Sequence, residues 1–209
     1  HPVLFVVNHS SYLDISILGA LIQGSFIAKS EVKGWPFFGL LARLQRTVFV
    51  DRAARSTAGQ RDAIVVRLRT GDDLILFPEG TSSDGNRILP FKSALLSCAD
   101  TTINGRPVTV QPVSIVYTRL DGMPLGRNLR PFYAWYGDMD LMSHIWQALS
   151  LGTVTVEVQF HPVTTVAEHG NRKALTRHCE QAVTGGMTTA LSGRIAAPPS
   201  MAILSGSVS

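Results

Sequence analysis

The chain has few cysteines, few charged residues and no long apolar run, and each shortage excludes a class of protein. Two cysteines, Cys98 and Cys179, are too few for a disulfide framework, so we expect two buried thiols in a reduced, cytosolic setting. Charged residues make up 16% and hydrophobic residues 45% of the 209 positions, a balance typical of one globular domain. The longest uncharged run in the first half, residues 15–28, has 14 residues, whereas a membrane-spanning helix needs about 20.

Positive charge is concentrated in the first third of the sequence. Residues 1–70 carry nine Lys or Arg against four Asp or Glu, whereas residues 71–209 carry ten against eleven. Within this basic region, residues 32–41 are mainly apolar and aromatic and include Lys33. Two interpretations stay open: an ordinary solvated face, or a surface for anionic lipid headgroups, where each basic residue contributes about 1 kcal/mol. No nucleic-acid-binding motif accompanies the charge, so nucleic acid is not an expected partner.

Short apolar runs alternate with stretches of helical spacing along the chain. The predicted strands are residues 3–7, 26–28, 47–50, 74–77, 108–117 and 153–160. The predicted helices are residues 11–22, 53–69, 91–98, 141–149 and 172–183. Pro112, inside a predicted strand, indicates a bulge or an edge position because it has no N–H to donate. The alternation predicts a single α/β domain.

The end of the chain has a different composition. Residues 185–209 are rich in Gly, Ser, Ala and Pro and carry one charge, Arg194. Such a segment has little apolar surface to bury, so we predict a folded domain over residues 1–184 and a disordered tail over residues 185–209.

A histidine and an aspartate follow the first predicted strand. On a continuous helix, His9 and Asp14 would point about 140° apart, so they can meet only if His9 precedes the helix and Asp14 lies in its first turn. Ser11, three residues before Asp14, resembles the start of a capping box and favours that arrangement. His9 could then act as a general base while Asp14 holds its second ring nitrogen. Taken singly, the two also fit a solvated histidine and a first-turn acid stabilised by the helix dipole.

A second polar segment, Phe77-Pro78-Glu79-Gly80-Thr81, follows the predicted strand at residues 74–77. Proline ends the strand and glycine permits a close backbone approach, so the turn can aim Glu79 and backbone N–H groups into a crevice. An ordinary strand-ending turn is the alternative. The nucleophile-elbow pattern G-x-S-x-G and the phosphate-loop pattern G-x-x-x-x-G-K-[ST] are both absent, which disfavours serine esterases and nucleotide-binding proteins.

The two segments together, in this order, resemble the signature of the glycerolipid acyltransferases, a histidine-x4-aspartate motif followed by Phe-Pro-Glu-Gly-Thr. Two further blocks of that family match: an apolar strand ending in arginine, at residues 48–52, and an apolar strand containing proline, at residues 110–113. The resemblance covers about residues 3–118. It implies a single α/β domain with a mixed central β-sheet flanked by helices.

The resemblance also implies acyl transfer from acyl-CoA or acyl-carrier protein to a lysolipid hydroxyl. His9 would deprotonate that hydroxyl and Asp14 would orient His9. Arg52, Glu79, Gly80 and Thr81 would bind the acceptor headgroup, and Pro112 would shape the acyl or acceptor pocket. No metal or prosthetic group is expected, since a thioester is already activated.

One position departs from the family pattern. Members that use lysophosphatidic acid commonly carry arginine after Phe-Pro-Glu-Gly-Thr, whereas this chain has Ser82. The leading expectation is 1-acyl-sn-glycerol-3-phosphate as acceptor, with Arg52 and Arg87 meeting the phosphate. A lyso-ornithine lipid, which accepts on the hydroxyl of an acyl chain, is the alternative enzyme substrate. The other alternative is a non-catalytic lipid-binding protein of the membrane surface, but such a protein needs neither a base nor its orienting carboxylate.

The family's enzymes work at membranes, often with a helical anchor before the first motif. We therefore expect an anchor upstream of His1, a location at the cytoplasmic face of the inner membrane, peripheral or anchored, and a contact between the basic stretch at residues 29–46 and anionic lipids.

Overall fold

A mixed β-sheet of seven strands forms the centre of the computed structural model, which describes residues 1–29, 48–50 and 57–193. Its strands are β1 (Val3–Val7), β2 (Gly24–Lys29), β3 (Val48–Val50), β4 (Asp73–Leu76), β7 (Thr109–Leu120), β8 (Met123–Pro124) and β9 (Val154–Phe160). A separate hairpin joins β5 (Thr102–Ile103) to β6 (Arg106–Pro107). The helices are α1 (Leu13–Leu21), α2 (Thr57–Arg69), α3 (Leu141–Ser150), α4 (Val166–His169) and α5 (Arg172–Leu191), with 3₁₀ helices at Ser93–Asp100 and Arg130–Phe132.

The strand order is β3-β2-β4-β1-β7, all parallel, with β8 and β9 antiparallel to β7. Side chains alternate between the two faces of the sheet, as in β1, where Leu4 and Val6 pack on one face and Phe5 and Val7 on the other. The first face carries α2, the longer 3₁₀ helix and α5, and the second carries α1 and α3. The predicted α/β fold, with a mixed sheet flanked by helices, is confirmed.

Both cysteines are free and buried, as the sequence indicates. Burial in apolar surroundings raises the pKa of Cys98 and of Cys179 to about 12, so both thiols stay protonated and inert near neutral pH. Within the described part of the chain, none of the helices has the combination of length and hydrophobicity that crossing a bilayer requires.

Pro112 occupies a position that the sequence only partly predicted. β7 is not an edge strand, because β1 pairs with it on one side and β9 on the other, so the edge prediction is wrong. A bulge is present. Val110 pairs with Thr164 and Val113 pairs with Phe160, so the chain advances by three positions on β7 but by four on the facing segment. The Pro112 carbonyl accepts from the N–H of His161 at 2.9 Å. The bulge thus lets proline sit inside a central strand.

The predicted tail boundary at Gly185 is wrong, because α5 continues without interruption to Leu191. Gly186 allows α5 to pack closely on β7. A Cβ at Gly186 would lie 2.3 Å from the Ser114 hydroxyl and 2.8 Å from His161 Nε2, so only glycine lets the helix approach β7 this closely. Buried Met187 continues the contact face. Residues 194–209 of the predicted tail lie outside the described residues.

Three histidines surround the joint between β9 and α5. His161 Nε2 lies 2.7 Å from the buried Ser114 hydroxyl, and the rings of His169 and His178 lie 4.4 Å apart. Burial lowers the pKa of His161 and of His178, and a neighbouring histidine lowers each pKa further. The joint therefore favours the neutral imidazole at His161 and at His178.

We expect acid to destabilise the protein through His161 and His178. Because their pKa values are lower in the folded protein than in the unfolded chain, the unfolded chain binds more protons from about pH 6.5 downward, and the free energy of unfolding contributed by them falls. Urea unfolding at about pH 7.5 and about pH 5.5 should show a smaller loss for His178→Gln than for the unchanged protein. The control is His1→Gln at an exposed position. Equal losses in both variants would contradict the expectation.

Candidate active site

The candidate site lies where two neighbouring parallel strands end. β1 and β4 pair with Val6 opposite Leu76, so their carboxyl ends meet at the same edge of the sheet. His9 follows the end of β1 and Glu79 follows the end of β4. The two sequence motifs, about seventy residues apart in the chain, therefore share one corner of the molecule.

His9 and Asp14 form a hydrogen-bonded pair, with His9 Nδ1 lying 3.0 Å from Asp14 Oδ2. Helix α1 begins at Leu13, so His9 precedes the helix and Asp14 lies in its first turn. Since an ionised carboxylate can only accept, Nδ1 carries the proton and Nε2 is the basic nitrogen. The His9 side chain is 20% exposed, whereas that of Asp14 is fully buried. The geometry places a buried carboxylate behind a partly exposed imidazole.

Two backbone N–H groups also donate hydrogen bonds to the Asp14 carboxylate. Its Oδ2 accepts from the N–H groups of Ser10 at 2.8 Å and of Ser11 at 2.9 Å. The predicted capping box is therefore half formed: the acid bonds back to Ser11, but the Ser11 hydroxyl accepts from Leu13 N–H at 3.4 Å. These bonds hold the carboxylate in place.

Tyr117 is a member of the site that sequence reasoning did not single out. Its hydroxyl donates to Asp14 Oδ1 at 2.7 Å. Burial raises the pKa of Tyr117 well above its usual value, and the charge of Asp14 raises it further, so the phenol stays protonated and remains a donor. Tyr117 reaches Asp14 because β7 lies beside β1. The sequence carries no signal for that strand order, which only the folded sheet provides.

Glu79 is buried, and both of its oxygens are occupied. Oε1 accepts from the N–H of His9 at 2.8 Å and Oε2 accepts from the N–H of Leu89 at 2.8 Å. Burial raises the pKa of Glu79 to about 7, while the two backbone N–H groups act to lower it. The carboxylate therefore ties the His9 loop to the loop that follows Thr81. The Ser83 N–H adds a second tie, donating to the His9 carbonyl at 2.9 Å.

The remaining predicted site residues lie at different places. Gly80 has φ +71° and lies beside Lys92, so that an added Cβ would sit 3.0 Å from the Lys92 ammonium. Thr81 is exposed at the same turn. Pro112 lies on β7, where it pairs with Val6 of β1, so it is one strand away from the strand that leads to His9. Arg52 lies outside the described residues.

Phe77 and Asn8 shape the loop around the imidazole. The rings of His9 and Phe77 are stacked, with centroids 4.1 Å apart. The Asn8 side chain extends the β1–β7 pairing by one residue, donating to the Ile115 carbonyl at 2.8 Å and accepting from the Ile115 N–H at 2.9 Å. The His9 loop is thus held rigidly on both sides.

Ser82 turns away from solvent. Its hydroxyl donates to the backbone carbonyl of Trp135. The backbone N–H of Trp135 in turn donates to the Ser10 carbonyl at 2.8 Å. The segment after β8 is thereby joined to both motif loops. Serine at this position thus makes a structural bond within the protein.

Comparison with known proteins gives one family. The family described as Acyltransferase matches residues 1–116. A lyso-ornithine lipid O-acyltransferase of Brucella abortus is 50% identical over 197 residues, which are 92% of this chain and 74% of that protein. A 1-acyl-sn-glycerol-3-phosphate acyltransferase of Neisseria gonorrhoeae is 34% identical, covering 88% of this chain and 69% of that protein. The crystal structure of the 1-acyl-sn-glycerophosphate acyltransferase PlsC of Thermotoga maritima matches with a TM-score of 0.62 and 27% identity, over 94% of this chain and 69% of that one.

Proposed function

Because the chain belongs to the acyltransferase family, we propose that it moves a fatty acyl group from acyl-CoA or acyl-carrier protein to the hydroxyl of a lysolipid, preferentially a lyso-ornithine lipid. The observation that supports this choice of acceptor is Ser82. Its hydroxyl is bonded to the Trp135 carbonyl, at a position where phosphate-using members commonly carry arginine. The 50% identical relative named for lyso-ornithine lipid supports the same acceptor. No metal or prosthetic group takes part in the proposed reaction.

His9 is the proposed general base. Its Nε2 takes the proton of the acceptor hydroxyl as the oxygen attacks the thioester carbonyl, and the resulting imidazolium returns that proton to the departing thiolate. The Nδ1 proton stays on the ring throughout, donated to Asp14. Asp14 orients the ring and stabilises the imidazolium, while Tyr117 and the N–H groups of Ser10 and Ser11 hold the carboxylate in place.

Glu79 is proposed as a positioning residue rather than a headgroup ligand. Both of its oxygens accept from backbone N–H groups inside the protein. Headgroup contact then falls to Gly80, Thr81 and Arg52 of the predicted set, together with the Lys92 ammonium beside Gly80.

We expect Glu79→Gln to weaken both folding and turnover. Glutamine has one carbonyl oxygen, so the N–H of His9 or of Leu89 would face a group that cannot accept, at a cost of about 1–3 kcal/mol of unfolding free energy. With its loop loosened, His9 should lose about tenfold to a hundredfold in kcat, and the KM for the acceptor should change less. Kinetics and urea unfolding measure both effects, with exposed Glu157→Gln as control. A raised KM at unchanged kcat would instead assign Glu79 to the headgroup.

The acceptor is tested by offering lyso-ornithine lipid and 1-acyl-sn-glycerol-3-phosphate side by side. A higher kcat/KM for lyso-ornithine lipid is the expected result. A higher kcat/KM for the phosphate lipid would instead assign 1-acyl-sn-glycerol-3-phosphate as the acceptor, the activity named for the 34% identical relative. Activity with neither lipid would refute the proposed function.

Ser82→Arg should shift this preference toward the phosphate lipid. A guanidinium pairs strongly with phosphate, so the kcat/KM ratio of phosphate lipid to lyso-ornithine lipid should rise about tenfold, equivalent to roughly 1.4 kcal/mol. Ser82→Ala is the matched control, since it removes the bond to the Trp135 carbonyl without adding charge. An equal shift in both variants would show that loop geometry, and not charge, sets the preference.

We propose a peripheral or anchored location at the cytoplasmic face of the inner membrane, because a lysolipid acceptor resides in a bilayer. The basic stretch at residues 29–46 is the proposed contact for anionic headgroups; apart from Lys29 in β2, it lies outside the described residues.

A further inference from the structure

Helix α3 carries an apolar stripe that the fold leaves uncovered. Its ten residues include no Asp, Glu, Lys or Arg. Met142, Trp146 and Leu149, spaced as one helical face, are 70%, 77% and 71% exposed. The opposite face packs on the protein, with His144 at 2% exposure and half-buried Ala148 against the core cluster. The helix is therefore amphipathic, with a whole apolar face turned outward.

The preceding segment enlarges this surface. Among the described side chains, eleven large hydrophobic residues are exposed, and seven of them belong to residues 123–149. Four precede α3: Met123, Leu129, Phe132 and Tyr136. Helix α3 packs on the same core cluster as Leu125 and Tyr133 of this segment. Single exposed apolar residues are ordinary, but a concentration of this size marks an interaction surface.

The surface is joined to the catalytic loop. His144, on the inner face of α3, lies with Nδ1 3.2 Å from the Tyr12 hydroxyl, and the two rings meet edge to face at 5.5 Å. Tyr12 follows Ser11 and precedes Asp14 by two residues. Burial lowers the pKa of His144, so its imidazole stays neutral beneath the helix. Anything that binds α3 is thereby positioned relative to His9.

We propose that α3 and residues 123–136 insert their exposed apolar side chains into the outer part of a bilayer, so that the His9 loop sits at the level of the lipid acceptor. This inference rests on the proposed function and adds the docking surface. We call residues 123–149 the lipid-facing segment.

The chemistry of the segment favours lipid over a protein partner. The α3 stripe has no charge with which to select a protein, and Trp146 at its centre suits the boundary between headgroups and acyl chains. Arg127, which is exposed, complements anionic headgroups. The lipid-facing segment has two acids, both exposed: Asp138, and Asp140, which accepts from the Ser143 N–H at the start of α3.

The test compares vesicle binding of two double variants of this chain. Trp146→Gln with Leu149→Gln removes two members of the α3 stripe, and Val66→Gln with Val163→Gln removes two exposed apolar side chains, each 56% exposed, outside the segment. Sedimentation with vesicles of phosphatidylethanolamine and phosphatidylglycerol should show binding weakened about tenfold or more for the first pair only. Quenching of tryptophan fluorescence by brominated acyl chains should be weaker in Trp146→Phe, which retains Trp35 and Trp135, and the difference should report the insertion of Trp146.

Equal vesicle binding by both double variants would overturn the proposal. So would self-association of the chain that only the α3 substitutions abolish, without vesicle binding, because the face would then join two copies. Acyl transfer to acceptor dispersed in detergent micelles separates this inference from the function. The α3 variant should keep that micellar activity; loss of activity in every protein, including the unchanged one, would count against the proposed function, while vesicle binding would still decide the inference.

Discussion

His9→Ala should abolish acyl transfer while the protein still folds. The imidazole is the only group in the proposed mechanism that removes the acceptor proton, and a positioned general base contributes about 10²–10⁴ in rate. The loop does not depend on the ring for its backbone bonds, because His9 N–H donates to Glu79 and His9 carbonyl accepts from Ser83 N–H. We therefore expect a loss of at least about a hundredfold in kcat/KM with a cooperative urea transition close to that of the unchanged protein.

Two further variants make this result decisive. His9→Gln keeps a polar side chain against Phe77 but supplies no base, so it should be as inactive as alanine. His169→Ala is the control, a histidine whose ring contacts Thr164 and His178 instead of the motif loops. A folded His9→Ala protein with near-normal turnover would refute the base assignment and leave the family fold without this mechanism.

Asp14→Asn should lower kcat by a comparable factor, with little effect on the KM for the acyl donor. The amide can direct its NH₂ toward the Tyr117 hydroxyl, which is able to accept, and keep its carbonyl toward His9, Ser10 and Ser11. The geometry then survives, but the negative charge that stabilises the imidazolium is gone. Loss of that charge at a buried site predicts about a 10²–10⁴-fold fall in kcat.

The readout for Asp14→Asn is kcat and KM measured separately. Asp62→Asn, at an exposed position on α2, is the matched control. Tyr117→Phe tests the support of the carboxylate: it removes one donor to Asp14 without touching His9, so its effect on kcat should be smaller than that of Asp14→Asn. An Asp14→Asn protein whose only defect is a raised donor KM would show that Asp14 shapes the donor pocket and does not serve the base.

Local relationships in the site follow from the sequence because few residues separate the partners. The five-residue spacing between His9 and Asp14 left one workable geometry, and the 3.0 Å bond has that geometry. The strands at both motifs were also predictable, since continuous apolar runs ended at proline or at polar residues. The edge alternative for Pro112 and the tail boundary at Gly185 were wrong, because a bulge opposite a proline and the close packing of Gly186 on a strand depend on neighbours far along the chain.

The sequence by itself determined the family, the alternation of strands and helices, and the identity of the base and its orienting acid as candidates. Only the tertiary structure decided the strand order that brings Tyr117 to Asp14, the burial that turns Glu79 inward, and the bare face of α3. The physical reason is that periodicity and spacing report which groups are near along the chain, whereas burial and hydrogen-bond satisfaction depend on which distant segments pack together.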